Sequence, residues 1–322
     1  MQTIAMVGTY SLDVLRKMND LLHEDFNIIE VQKYDEYFKL ECADYIILRK
    51  LKLDRDVINS LRHTKLIHRW GSGYDTVDIE TAGKCGIPVL IASGINSTAV
   101  SEHAILLMLS LYRHVVTLNN LLVQGIWKRQ EFIEQSYIVK GKTLGLLGCG
   151  NVGRLVAEKA QVFGAKIIYY DISRLSPEIE RNLGIRFVPL DELYSTSDII
   201  SIHVPALDNT IGMVGKEQFE MMKSSAILIN TARGSIINEP DLIEALQSRR
   251  IFGAGLDSYA VEPLPKDSPL LTMNNVVLTP HIGGNTKDLE DEMICYILEN
   301  IRKKQNGEEL PHQTVVNSQY LI

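Results

Sequence analysis

TLGLLGCGNVGRLVAEKAQVFGAKIIYYD, residues 143–171, is the stretch of this 322-residue chain that decides its fold. An apolar run leads into Gly148, Gly150 and Gly153, a helix-like segment follows, and a second apolar run ends in Asp171. Glycines permit a tight turn and let a pyrophosphate approach the helix amino terminus, where free N–H groups and the helix dipole favour negative charge. This strand–turn–helix setting of the motif predicts a dinucleotide-binding α/β domain.

Asp171 indicates which dinucleotide is bound. Its carboxylate can accept hydrogen bonds from the ribose hydroxyls of NAD and would repel the 2′-phosphate of NADP. Arg174 lies close enough in sequence to reach such a phosphate, so NADP stays as the alternative. We predict NAD as the cofactor and no metal site, because the four cysteines lie far apart without a CxxC pair.

The remaining apolar runs predict two α/β layers. SDIISIHVP, SSAILINTARG, RIFGAGLDSY and NNVVLTPH bring the series that starts at residue 143 to six strands, which is typical of a doubly wound parallel sheet. Before residue 98, the runs TIAMV, DYIIL, KLIHR and IPVLI alternate with helix-like stretches. The helix-like segment TKDLEDEMICYILENIRKK follows the second series and can return to the first layer, which would make that domain discontinuous.

A long apolar helix is predicted over residues 98–123, TAVSEHAILLMLSLYRHVVTLNNLLV, with a stop at Gly125. Its apolar residues occur nearly all round, so we expect it to be buried between domains or between subunits. His103 lies inside this helix and is interpreted as a satisfied core or interface histidine rather than a catalytic group.

Composition and charge exclude several classes of partner. Hydrophobic residues make up 45% of the chain and charged residues 23%, and the apolar runs fall short of the roughly 20 residues that span a bilayer. A net charge of −7 argues against nucleic acid or an anionic membrane as a partner. The amino terminus lacks the pattern of an export signal, so we expect a soluble cytoplasmic protein.

Three polar residues stand where strands of the second series end: Arg233, Glu262 and His281. In an open α/β sheet, ligands bind outside the carboxyl ends of the strands, so these side chains can converge on one crevice. Arg233 can hold a substrate carboxylate and polarise its carbonyl group, and a histidine at position 281 can exchange a proton near neutral pH. Glu262 can fix the tautomer of the His281 ring. We predict hydride transfer at carbon 2 of a small 2-oxo or 2-hydroxy acid.

At these residues the chain resembles the D-isomer-specific 2-hydroxyacid dehydrogenases, a family that includes 3-phosphoglycerate dehydrogenase. The resemblance runs in order through RWGSGYDTVD, NSTAVSEH, GCGNVG, IHVP, NTARGS, GLDSYAVEPLP and PHIGGNT. It implies two Rossmann-like domains, with an NAD-binding domain over residues 99–285. The second is a discontinuous, flavodoxin-like substrate domain over residues 1–98 and 286–322. It also implies a homodimer formed through the NAD-binding domain.

The resemblance carries further cofactor contacts onto this sequence, with Asp257 holding the nicotinamide carboxamide. These contacts are Asn151, Val152, Asp171, Thr231, Ala232, Arg233, Asp257 and the turn of His281, Gly283 and Gly284. His203, followed by Val204 and Pro205, ends a strand and is predicted from that position to border the cofactor. Cys149 is interpreted as a packing residue.

Substrate identity is left open by the sequence. Gly71 and Gly73 flank Ser72 and can present consecutive N–H groups to an anion, and by resemblance this loop meets the substrate carboxylate. Arg49 stands where family members that bind phosphorylated substrates carry an arginine, but Lys50 replaces a small polar residue beside it. The candidates are 3-phosphoglycerate, hydroxypyruvate or glyoxylate, and aliphatic 2-oxo acids.

Two other functions are kept as alternatives. Formate or phosphite oxidation is disfavoured, because formate-type relatives place Gln where Glu262 stands. An NAD-sensing corepressor-like binding protein would keep this fold and recruit partners instead of turning over a substrate. Because the sequence ends soon after the returning helix, we expect no appended regulatory domain.

Overall fold

The computed structural model describes residues 1–321, which form two compact units. The first unit comprises residues 1–96 and 285–321, and the second comprises residues 97–284. The boundaries expected after residues 98 and 285 lie two residues and one residue beyond these limits.

The first unit contains a parallel sheet of five strands in the order β2-β1-β3-β4-β5. This is the flavodoxin-like order, as predicted. Strand β2 was not predicted, because Asn27 and Glu30 interrupt its apolar run; it is only partly buried, whereas the neighbouring strands β1 and β3 are almost wholly buried. The strands are β1 (Gln2–Val7), β2 (Phe26–Val31), β3 (Tyr45–Leu48), β4 (Leu66–Arg69) and β5 (Val89–Leu90).

Four helices cover this sheet, and the last of them comes from the carboxyl-terminal segment. Their bounds are α1 (Leu12–Leu22), α2 (Arg55–Ser60), α3 (Ile79–Lys84) and α12 (Glu290–Gln305), numbered along the whole chain. Helix α12 buries Met293, Ile294, Ile297, Leu298 and Ile301 in one core with residues of β1, β3 and α1. Their spacing of three and four residues makes one apolar face, so the segment that follows the second sheet belongs to the first unit.

His68 of β4 is a fully buried histidine that links the sheet to α12. Its Nδ1 donates to the main-chain oxygen of Arg69 over 3.0 Å, and its Nε2 accepts from Nδ2 of Asn300 over 3.2 Å. Burial lowers the pKa of His68 from 6.5 to about 4, so the ring is neutral near pH 7.

The second unit contains a parallel sheet of seven strands in the order β12-β11-β10-β9-β6-β7-β8. The chain starts at β6 in the middle, builds one half of the sheet outward and then the other, which is the doubly wound arrangement. Six of these strands were predicted, and the two-residue β8 was too short to give a pattern. The strands are β6 (Thr143–Leu147), β7 (Lys166–Tyr170), β8 (Arg186–Phe187), β9 (Ile199–Ile202), β10 (Ile227–Asn230), β11 (Gly253–Leu256) and β12 (Val276–Leu278).

Helices lie on both faces of this sheet, and each face has its own buried apolar cluster. The helices are α4 (Ser97–Tyr112), α5 (Val115–Val123), α6 (Gln130–Ile133), α7 (Asn151–Val162), α8 (Pro177–Leu183), α9 (Leu190–Thr196), α10 (Lys216–Met221) and α11 (Glu239–Gln247).

The prediction of one unbroken helix over residues 98–123 was wrong. The chain breaks between α4 and α5 at His114, which takes a left-handed conformation with φ of 49°. The ring of His114 packs against Phe132 and Phe252, and its Nε2 lies 2.9 Å from the main-chain oxygen of Gln135. Helix α4 is largely buried, whereas α5 has no buried residue in this chain.

The helices were compared with the length and composition that a membrane-spanning helix needs. No single helix among residues 1–321 is long and apolar enough to cross a bilayer. Helices α4 and α5 pass that test only when taken together, and they are bent by 62° at the break.

Acid should destabilise the first unit through His68. The stability associated with its neutral ring is complete above pH 6.5 and is lost as the pH falls toward 4, since the unfolded chain is protonated first. The full effect is about 3 kcal/mol. We expect His68→Gln to be less stable at pH 7 but to lose less stability between pH 7 and pH 4. Urea titrations at several pH values measure both quantities.

His63→Gln is the matched control, because His63 is exposed and takes no part in the buried contacts of His68. If wild type and His68→Gln lose equal stability over this pH range, the buried histidine is not responsible.

Candidate active site

The predicted site residues of the second unit follow the carboxyl ends of its strands. Gly148 follows β6, His203 follows β9, Thr231 follows β10, Asp257 follows β11, and His281 lies three residues beyond β12. Because β6 and β9 to β12 are parallel neighbours, these ends share one edge of the sheet. The edge includes the position between β6 and β9 where the chain reverses its direction of sheet building.

The three glycines of the loop are needed for two different reasons. Gly148 has a φ of +95°, and a Cβ there would lie 2.8 Å from the main-chain carbonyl of His203. A Cβ on Gly153 would overlap the main-chain oxygen of Gly148. A Cβ on Gly150 would meet nothing within 4 Å. The protein itself therefore requires glycine at 148 and 153, whereas a bare residue at 150 keeps space for a ligand.

The open position at Gly150 is also the N-cap of α7, a helix of 12 residues, and no side chain caps it. Helix amino termini attract anions through their N–H groups and dipole. The loop therefore fits the pyrophosphate of a dinucleotide, as the motif predicts.

Asp171 is bound to the same loop. One oxygen of its carboxylate accepts from the N–H of Cys149 over 2.8 Å, and the other accepts from the N–H of Ser173 over 3.2 Å. Arg174 turns to Glu180, with two hydrogen bonds of 2.8 and 2.9 Å. The Arg174 guanidinium and then the Tyr169 hydroxyl lower the pKa of Glu180 to about 2. Arg174 thus already has a carboxylate partner, which favours NAD over NADP.

Two buried hydroxyls at this edge lack a hydrogen-bond partner among residues 1–321. They are Oγ1 of Thr231, which is 9% exposed, and Oγ of Ser258, which is 3% exposed. An unsatisfied buried hydroxyl is costly, so such groups commonly meet water or a ligand. Thr231 is a predicted cofactor contact and fits that role.

Glu262 and His281 form the hydrogen-bonded pair that the sequence predicts. Nδ1 of His281 lies 2.9 and 2.8 Å from the two carboxylate oxygens of Glu262. An ionised carboxylate only accepts, so Nδ1 carries a proton and donates it. Glu262 also accepts from the N–H of Tyr259 over 3.2 Å, which fixes the carboxylate. Both side chains are about one-third exposed, at 31% and 35%, so the ring can reach a substrate.

Arg233 is placed by a residue that the sequence analysis missed. The fully buried Asn230, the last residue of β10, accepts from the N–H of Ala232 over 3.0 Å and donates to the oxygen of Arg233 over 2.9 Å. Gly234 lets this turn lie directly against the main chain of Tyr259. A polar residue ending the apolar run ILIN was the available signal for Asn230.

Asp257 holds the turn that carries His281. One carboxylate oxygen accepts from the Thr279 hydroxyl over 2.6 Å and from the N–H of Ile282 over 2.9 Å, and the other accepts from the N–H of Gly283 over 2.8 Å. Burial raises the pKa of Asp257, but hydrogen bonds from His103, Thr279 and these amides outweigh burial and lower it. Asp257 is therefore an ionised, buried acceptor near pH 7.

In the first unit, Arg49 follows β3 and the Gly71–Gly73 loop follows β4. Arg49 donates to the oxygen of Thr9 over 3.3 Å and to Oδ1 of Asn285 over 2.7 Å. Arg69 is 7% exposed and donates from Nε to the oxygen of Gly73 over 2.7 Å. The buried side chain of Arg69 therefore supports the Gly71–Gly73 loop.

Comparison with known proteins gives one family. The family model of the D-isomer specific 2-hydroxyacid dehydrogenase NAD binding domain matches residues 105–283. The chain is 38% identical over 275 residues to the hydroxypyruvate reductase of Thermotoga maritima, covering 84% of this chain and 88% of the relative. It is 35% identical over 274 residues to the glyoxylate reductase of Korarchaeum cryptofilum, covering 84% and 82%.

Other relatives are longer than this chain. It is 37% identical over 290 residues to the D-3-phosphoglycerate dehydrogenase of Archaeoglobus fulgidus, which covers 90% of this chain but 53% of the relative. Among solved structures, a glyoxylate reductase from Paecilomyes thermophila superposes with a TM-score of 0.87 at 29% identity, covering 99% of both chains.

The space at Gly150 generates a test of the cofactor loop. We expect Gly150→Ala to weaken NADH binding by roughly tenfold or more, about 1.4 kcal/mol, because the methyl group occupies the ligand's position. The melting temperature should fall less than in Gly148→Ala, since the added Cβ meets no protein atom and only the N-cap preference for glycine is lost. Fluorescence titration and thermal unfolding measure the two effects.

Gly148→Ala is the contrasting variant and should lower the melting temperature, because its Cβ meets the His203 carbonyl. Unchanged NADH affinity in a folded Gly150→Ala protein would show that no ligand contacts this position.

Proposed function

Because this chain belongs to the D-isomer specific 2-hydroxyacid dehydrogenase family, we propose that it transfers a hydride between NAD and carbon 2 of a small D-2-hydroxy acid or 2-oxo acid. The hydrogen-bonded pair of Glu262 and His281 carries the proposal. It supplies an oriented acid–base group on the same sheet edge as the dinucleotide loop.

His281 moves the proton. Since its Nδ1–H is held by Glu262, the other ring nitrogen, Nε2, is the one that exchanges a proton with the substrate oxygen. In the reducing direction, Nε2–H of the imidazolium protonates the carbonyl oxygen as carbon 2 gains the hydride. Glu262 stabilises the imidazolium and keeps the ring orientation, as the acid of a catalytic triad does. When bound, the nicotinamide supplies or accepts the hydride.

Arg233 binds and polarises the substrate. Its guanidinium is a permanent cation whose fork of N–H groups matches a carboxylate, and it can also donate to the carbonyl oxygen. The main chain beneath it is fixed by Asn230, so the side chain starts from a rigid base. Oxyanion character that develops at carbon 2 during reduction is stabilised by this charge.

We propose that Arg49 distinguishes among substrates. Its guanidinium is oriented by Thr9 and Asn285 and can donate to a distal hydroxyl or phosphate. Relatives of this chain are called D-3-phosphoglycerate dehydrogenase, hydroxypyruvate reductase and glyoxylate reductase, so the substrate is sought among the corresponding acids. Glyoxylate has no distal group, which makes it the internal reference.

The activity test follows NADH oxidation against glyoxylate, hydroxypyruvate, 3-phosphohydroxypyruvate and aliphatic 2-oxo acids. We expect turnover of at least one acid, and a loss in kcat/KM of about 100-fold or more in Arg233→Ala and His281→Asn. Arg49→Ala should reduce kcat/KM for the acids with a distal group more than for glyoxylate. Lys52→Ala, at an exposed site nearby in sequence, is its control.

If the folded protein binds NADH but turns over none of these acids, the proposed enzymatic activity is refuted. That result would instead favour the NAD-sensing corepressor-like binding protein.

We also propose a homodimer formed through α5. Four apolar side chains of this helix are exposed by 46–80%, and Trp127, which follows it, is exposed by 79%. The four are Val115, Val116, Leu122 and Val123. Large apolar side chains exposed together along one segment are typical of a protein interface.

Leu122→Glu should convert a dimer to a monomer, because association would bury the new carboxylate in an apolar surface. Size-exclusion chromatography with light scattering measures the mass in solution. Leu12→Glu, at a residue that is 81% exposed in the first unit, should leave the mass unchanged. A wild-type protein that is monomeric at every concentration tested contradicts the homodimer.

A further inference from the structure

Helix α4 packs on β11 in a regular register that ends at a histidine. A Cβ on Gly253 would lie 3.3 Å from Leu111, and one on Gly255 would lie 2.9 Å from Leu107, so the two glycines bring helix and strand close together. Four residues of helix advance about 6 Å and two residues of strand about 6.6 Å, so the steps match. The next step pairs His103 with Asp257.

The hydrogen bonds fix which ring nitrogen of His103 is protonated. The Asp257 carboxylate only accepts, so the Thr279 hydroxyl, 2.6 Å away, donates to it. That hydroxyl must then accept from Nε2 of His103, which lies 2.8 Å away. The same Nε2 is 3.4 Å from the carboxylate. His103 is therefore the donor at the start of a chain that runs through Thr279 to Asp257.

This series of hydrogen bonds holds the turn of His281 at both ends. The main-chain oxygen of Thr279 accepts from the N–H of His281 over 3.0 Å, and Asp257 accepts from the N–H of Gly283 over 2.8 Å. The His103 ring also packs against the turn, since a Cβ on Gly283 would lie 3.2 Å from it.

His281 needs such support because of its backbone conformation. Its φ is +53°, in the left-handed region that residues other than glycine rarely adopt. Strained conformations at functional sites persist only when the surrounding contacts fix them. The contacts on both sides of the turn come from Thr279, Asp257 and His103.

We propose that His103 is a positioning residue for proton transfer, which rests on the function proposed above. Its Nε2–H, acting through Thr279 and Asp257, fixes the main chain at His281 so that the Nδ1–H of His281 stays on Glu262. Nε2 of His281 then faces the substrate oxygen. His103 itself exchanges no proton with the substrate.

The test compares variants that remove the donor with variants that keep it. His103→Leu and Thr279→Val break the chain at similar volume, whereas His103→Gln keeps an N–H near the position of Nε2 and Thr279→Ser keeps the hydroxyl. We expect the first two to lower kcat by about 10- to 100-fold, as small misplacements of catalytic groups do. The second two should recover most of that loss.

The second readout needs no turnover. The imidazole ¹⁵N chemical shifts of His281 at pH 8, assigned by their loss in His281→Asn, give the tautomer. Wild type, His103→Gln and Thr279→Ser should have the Nδ1–H form, and His103→Leu and Thr279→Val should gain the Nε2–H form. A role in folding alone would lower the melting temperature without changing the tautomer.

The proposal requires both effects in the same variants. It is overturned if the tautomer is unchanged, if kcat stays near the wild-type value in His103→Leu, or if His103→Gln restores neither. Should His103→Leu fail to fold, the Thr279→Val and Thr279→Ser pair decides in the same way. A wild-type protein that turns over no acid refutes the proposed function, and the tautomer measurement still decides whether His103 positions the ring.

Discussion

The parallel alignment of the neighbouring strands β6, β9, β10, β11 and β12 is the constraint from which the arrangement of the candidate site follows. Strands that run in one direction present all their carboxyl ends at one edge, and the loops that leave this edge carry the polar groups. The glycine loop, Asn230, Asp257 and the His281 turn are therefore neighbours although they are far apart in sequence. The same rule places Arg49 and the Gly71–Gly73 loop at one edge of the first sheet.

Desolvation determines how these polar groups behave. Asp257 is 2% exposed, and a buried carboxylate without partners would become protonated. Four donors instead keep its pKa below the usual value, so the charge that is costly to bury becomes the anchor of the His281 turn. His68 is buried with weaker partners, and its pKa falls so that the ring stays neutral. Hydrogen-bond donors therefore keep the buried Asp257 carboxylate ionised, whereas His68, with one main-chain acceptor and one amide donor, stays neutral.

The apolar residues between 97 and 123 are buried in one helix and exposed in the next. Helix α4 packs over the glycines of β11 and is buried, whereas α5 turns away at His114 and presents valine and leucine side chains outward. An exposed apolar helix face of this kind is typical of an interaction surface. The apolar residues of the sequence predict that both segments are buried. They do not indicate whether the surface that buries them belongs to the same chain or to another one.

The sequence by itself determined the two parallel sheets, the dinucleotide loop and the pairing of Glu262 with His281. These features follow from short-range patterns, such as apolar runs, the spacing of glycines and polar residues after strands. Only the tertiary structure decided the break at His114, the support of the Gly71–Gly73 loop by Arg69, and the contact of Asn230 with the Arg233 turn. It also decided the place of His103, which the sequence assigned to the core or to an interface. The physical reason is that hydrogen bonds such as the one between His103 and Thr279 join residues 176 positions apart, and no local pattern records them.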